Sequence, residues 1–162
     1  MIPDKIIRFL LQQGTAGVAG TRDRNLMPSG HRVSGWHLQR DGQTLTALIG
    51  NPFVEGFLQT ALENGQIAIT IEEFPSLETY QFKGRYLAHR PIQPEEVELV
   101  NRTRERYVKN ITSLNPDYQA HADLVRASIP NATVAVDVDV QEVFVQTPGP
   151  TAGRRVYPPA EN

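Results

Sequence analysis

The sequence predicts a mainly β (α+β) fold: a closed or partly closed antiparallel barrel of five to six strands, with helices inserted at defined corners. Three observations lead there. Apolar and polar residues alternate strictly in several stretches, as in Ile67, Ile69 and Ile71 or Val134, Val136, Val138 and Val140, the period of a strand with one buried face. Tight polar turns such as Asp41-Gly42 join neighbouring stretches into hairpins. Helical periodicity is confined to a few segments, whereas a doubly wound sheet needs a helix after nearly every strand.

Taken in order, residues 3–12 read as a short helix, with Pro3 suited to its first turn because a missing N–H costs nothing there. A first strand is expected over 16–21, then turns at Asp23-Arg24-Asn25 and Pro28-Ser29-Gly30. Strands over 31–40 and 44–49 pair through Asp41-Gly42. Asn51 and Pro52 form a helix start, Asn as N-cap and Pro at the first helical position. The helix that follows is expected to turn Phe53, Val54, Phe57, Leu58, Ala61 and Leu62 inward and to end at Asn64-Gly65.

After the isoleucine strand, a loop over 72–78 leads to a strand with Tyr80, Phe82 and Tyr86 on one side and Gln81, Lys83 and Arg85 on the other. Gly84 interrupts it, which marks a bulge or a close backbone approach. Pro94 opens a second helix, 95–110, with Val97, Val100, Tyr107 and Val108 inward, acids early and bases late as the helix dipole prefers. A further helix is expected over 116–126. The valine strand slips phase before Val143 and Val145, the mark of a bulge. Residues 147–162 read as a Pro- and Gly-rich tail holding Arg154 and Arg155.

The length of 162 residues suits one domain. A net charge of −2 gives no drive toward nucleic acid or anionic membranes. The absence of cysteine excludes disulfides and zinc–thiolate sites. The apolar stretch over 6–11 is broken by Arg8 and too short to span a bilayer, and a signal peptide is not read at Met1. A cytoplasmic protein is the expectation.

Several constellations are weak. Gly14, Gly17 and Gly20 lack phosphate-loop spacing, and Ser29 and Ser34 make no GxSxG elbow. His31 and His37, six residues apart on one strand, would share a face but lie roughly 20 Å apart, too far for one metal; no metal site is expected. Arg32 at the start of a barrel strand can clamp a phosphate, with a solvated arginine as the plainer alternative. Arg154 and Arg155 suit an anion equally well as they suit a frayed tail. Trp36 is a stacking candidate or, more commonly, a barrel side chain.

In the order Gly17-Val18-Ala19-Gly20-Thr21-Arg22-Asp23, His31-Arg32-Val33-Ser34, Leu62-Glu63-Asn64-Gly65-Gln66-Ile67, Thr79-Tyr80-Gln81-Phe82-Lys83-Gly84-Arg85 and Gly149-Pro150-Thr151-Ala152-Gly153-Arg154-Arg155, the chain resembles the flavin split-barrel superfamily related to pyridoxamine 5′-phosphate oxidase. The resemblance implies a six-stranded Greek-key split barrel and a homodimer with FMN at the subunit interface. It places Arg32, Val33, Ser34 and Gly35 along the flavin and turns Arg32 toward its phosphate. The chain departs from the pattern after the third strand, where a Ser/Thr and a basic residue usually hold that phosphate. Here Asn51-Pro52-Phe53-Val54-Glu55 stands instead, leaving the helix N-terminus at Asn51 and, from a partner subunit, Arg154 or Arg155. An FMN-dependent oxidoreductase is the leading expectation; a ligand-binding barrel without turnover (flavin, deazaflavin, haem or another ring) and a purely structural dimer are the alternatives.

Overall fold

The computed structural model describes residues 2–12, 15–50, 54–128 and 132–158. Helix α1 (Asp4–Leu11) precedes strands β1 (Thr15–Arg22), β2 (Pro28–Leu38) and β3 (Thr44–Gly50). Helix α2 (Val54–Asn64), strands β4 (Gln66–Glu73) and β5 (Thr79–Pro91), and helix α3 (Pro94–Leu114) follow. A 3₁₀ turn (Pro116–Tyr118) leads into α4 (Gln119–Ser128), and β6 (Ala132–Val145) and β7 (Arg155–Tyr157) end the chain. The sheet order is β3-β2-β1-β4-β5-β6-β7 and β3 also pairs with β6. The first six strands therefore close on themselves, all antiparallel, and β7 is an added edge.

Local chemistry sets the corners. In the β2–β3 turn, the Asp41 carboxylate accepts from the Gln43 and Thr44 amides and the Thr44 hydroxyl, which holds its pKa below the ordinary carboxylate value. Gly42 supplies the left-handed backbone that this turn needs. Inside the barrel, Val33, Trp36, Phe57, Ile69, Phe82 and Val138 are buried together. Trp36 is 1% exposed and its indole N–H donates to the Leu10 carbonyl, so it is a core side chain rather than a platform for a ligand. Helix α1 covers the interior at Trp36 and Tyr80, α2 at Thr21 and His31.

Both irregularities read from the last strands are present. The register steps from Lys83↔Glu142 to Gly84↔Val140, so Gln141 is the extra residue. Gly84 faces it at a place where a side chain would collide with the Asp139 carbonyl.

Five expectations need correction. The break expected at Pro28-Ser29-Gly30 is strand: β2 begins at Pro28 and pairs Ser29 and Gly30 with Thr21 and Gly20, so Arg32 lies within the strand and not at its start. His31 and His37 do not share a face: a bulge at Ser34, between Val33↔Ile49 and Gly35↔Leu48, inverts the alternation. Val33 and Trp36 both point inward, His31 goes with Val33, and His37 faces out. Leu62 is 60% exposed because the buried stripe of α2 runs through Val54, Phe57 and Ala61. Val97 is 37% exposed, its expected place taken by Leu99, Thr103 and Ile111. The C-terminal segment folds back: Val145 exchanges backbone hydrogen bonds with Gly153 and Arg154, and Tyr157 donates to Gln43. The expected cap at Asn51, with Pro52 and Phe53, lies outside the described residues.

Candidate functional site

Helix α3 decides what surrounds the arginine strand. It packs against the outside of the barrel through Leu99 and Val100, which meet Leu48, Ala132 and Ala135. Its first turn is fixed by a capping box between Gln93 and Glu96. The buried Glu96 carboxylate also accepts two bonds from Arg90, at 2.8 and 2.7 Å, and lies 3.0 Å from His37 Nε2. An ionised carboxylate only accepts, so His37 carries its proton on Nε2. The Arg90 guanidinium is the first cause that holds the Glu96 pKa at about 2, with the Gln93 amide and His37 assisting against burial.

That anchoring lays two further turns of α3 along Arg32, Ser34 and Gly35. At Gly35 an added Cβ would stand 3.3 Å from Leu48 Cδ1 and 3.4 Å from Val100 Cγ2. The outer face of the strand at this point is therefore closed. Val33 points into the barrel core and Ser34 is buried in the bulge. Arg32 stays exposed, its guanidinium carbon 5.6 Å from the centre of the Tyr107 ring.

Between strand and helix lies a cavity of about 10 Å³, lined by Arg32, Ser34, Val100, Thr103, Arg104 and Tyr107, with Val33 behind. The Thr103 hydroxyl and Arg104 Nε are buried and have no hydrogen-bond partner among the described residues. Thr103 is only 4% exposed, and a buried polar group without a partner costs roughly 1–3 kcal/mol. Arg104 Nη2 donates to Asn101. Neither Arg32 nor Arg104 forms an ion pair among the described residues. Two arginines and three hydroxyl-bearing residues, Ser34, Thr103 and Tyr107, thus border a space the size of one water or one oxygen of an anion.

The other expected site residues lie apart from this cluster. Arg155 registers with Phe144 on the β6 edge and pairs with Glu142 at 3.3 Å. Arg154 is exposed beside it, its backbone bonded to Val145 and Thr151. Neither arginine lines the space beside Arg32. Sequence reasoning missed Thr103 and Arg104. Their signal was their position: one turn on from Val100 and one before Tyr107 and Val108, polar residues on the inner stripe of an amphipathic helix.

No helix among the described residues is long and apolar enough to cross a membrane. No protein-family model and no curated protein sequence matches the chain. Solved structures do. Tagged HupZ from group A Streptococcus superposes with a TM-score of 0.54 at 16% identity, covering 94% of this chain and all of that one. An F420 reductase superposes at 0.51 and 10% identity, covering 84% of this chain and 94% of the reductase. An FMN-binding protein from Syntrophomonas wolfei gives 0.47 at 14% identity, with 88% and 89% covered. The chain shares with these structures a split-barrel architecture. At these identities the likeness is one of fold.

Proposed function

We propose that the chain is a flavin-binding protein, an FMN- or deazaflavin-dependent oxidoreductase working as a homodimer. The observation that carries this reading is the cluster of Arg32, Ser34, Thr103 and Arg104, whose orphaned donors suit one oxygen of a phosphate. It supplies from α3 what the sequence lacks after β3. The fold shared with an F420 reductase supports the class of cofactor.

The fit differs between the two ends of the cofactor. The phosphate end suits the cluster: Arg32 and Arg104 neutralise it, Thr103 donates, and Tyr107 steadies Arg32. The ring has no room against Val33 and Gly35, because α3 covers them. In this reading the ring lies beyond Tyr107, with a second subunit as its other wall. A bound flavin would supply the hydride chemistry, and the protein's part is to hold charge and exclude water.

The covering helix favours a second reading, a split barrel that binds a ligand without turnover or serves only as a dimer. An absorbance spectrum taken after adding FMN and desalting separates the two. Retained flavin bands that disappear in Arg32→Ala support the oxidoreductase reading. A colourless protein would give the second reading precedence.

A further inference from the structure

The outer face of β1, β4 and β5 carries a much larger concavity, about 500 Å³, lined among others by Gly20, Arg22, Leu26, Ala68, Lys83 and Arg85. Its floor is bare sheet. Gly20 registers with Ala68 on β4 and with Gly30 on β2. A Cβ added at Gly20 would meet only the Ala68 carbonyl oxygen at 3.9 Å, and one at Gly30 would meet nothing within 4 Å. Such a floor accepts a flat ring in van der Waals contact. Leu26, 67% exposed on a left-handed backbone, stands at the edge as an apolar wall.

The rim is cationic. Arg22 donates through Nε and Nη2 to Gln66 Oε1 at 3.2 and 3.0 Å. Arg85 donates through Nη1 to the Asn64 carbonyl at 2.9 Å. Lys83 Nζ lies 4.5 Å from the centre of the Phe144 ring. These partners are all uncharged, and none of the three cations has an ion pair among the described residues. Glu142, which also lines the groove, is held by Arg155. Three uncompensated cations around one concavity, in a chain of net charge −2, are a local arrangement that concentrates positive potential.

We propose that this groove is a binding site for a phosphomonoester of nucleoside-monophosphate size that bears a planar aromatic ring. The ring lies on Gly20 and Ala68 against Leu26, and the phosphate sits among Arg22, Lys83 and Arg85. A dianion matches three cations better than a single carboxylate does, and the volume is that of a small-molecule site. The groove is independent of the Arg32 cluster, which holds none of these residues.

Isothermal titration with adenosine monophosphate, adenosine and inorganic phosphate tests it. The monophosphate is expected to bind, and adenosine and phosphate at least about tenfold more weakly. Arg85→Ala and Gly20→Leu are each expected to weaken the monophosphate by about tenfold or more, and Arg32→Ala to leave it unchanged. If Gly20→Leu does not fold, Lys83→Ala takes its place. Absence of binding, or a loss caused by Arg32→Ala and not by Arg85→Ala, would overturn the proposal. The flavin reading fails or stands on its own titration.

Discussion

Two faces of one barrel have been finished in opposite ways. On the side of β2, β3 and β6, α3 lies directly on the sheet, locked by Glu96 to Arg90 and His37, and leaves a space for about one water among charged and hydroxyl groups. On the side of β1, β4 and β5, no helix residue lines the groove among the described residues, and glycine, alanine and cations without an ion pair are left facing out. The glycines show the difference. Gly35 is in contact with a helix, whereas a Cβ at Gly20 would meet only the Ala68 carbonyl of the neighbouring strand. A barrel whose interior is already full can take ligands only on its outside, so the covering helix decides which outer surface remains for them.

The comparison breaks most visibly at Gly84, which fixes the bulge bordering the open face. Gly84→Ala sets a methyl against the Asp139 backbone and is expected to cost about 4 kcal/mol or prevent folding; a wild-type melting curve would dissolve the argument. Next comes the lock on the covered face. Glu96→Gln is expected to cost about 3 kcal/mol at neutral pH, since it leaves Arg90 without its partner. The Glu96 pKa is about 2 in the folded chain against 4.5 ordinarily. Its contribution is therefore full above about pH 4.5 and drains away as the pH falls toward 2. Melts of the two proteins across that range should converge at the acid end.

The smallest effects sharpen the contrast. Gly35→Ala must displace Leu48 and Val100 by a few tenths of an ångström and is expected to cost about 1 kcal/mol. Gly20→Leu projects into the open groove and is expected to stay within about 0.5 kcal/mol of wild type by thermal melting. Equal costs at the two positions would mean that the faces are not finished differently.

Much of the barrel was legible because its signals are local. The Asp41-Gly42 turn, the isoleucine and valine alternations and the slip before Val143 each declare themselves within a few residues. The equivalent slip in β2, with Val33 and Trp36 three apart, escaped notice because Ser34 and Gly35 between them give no apolar phase to compare. Strand β7 was illegible for another reason: three residues carry almost no pattern, and its place depends on the turn at 148–153. At the site, Arg32 could be singled out because the sequence reads as a strand starting at His31, although β2 begins at Pro28. Thr103 and Arg104 could not, since on a helix rich in late bases an arginine looks like a partner for the dipole, and only the packing of α3 brings it to the same space as Arg32.

The most direct measurement of the central claim, that α3 completes an anion site on the arginine strand, is a fluorescence titration of FMN into wild type and Arg104→Ala. The account predicts saturable quenching by the wild-type protein and an affinity at least about tenfold lower in the variant, because a charge-assisted contact is lost. Equal affinities, or no binding to either protein, would contradict it.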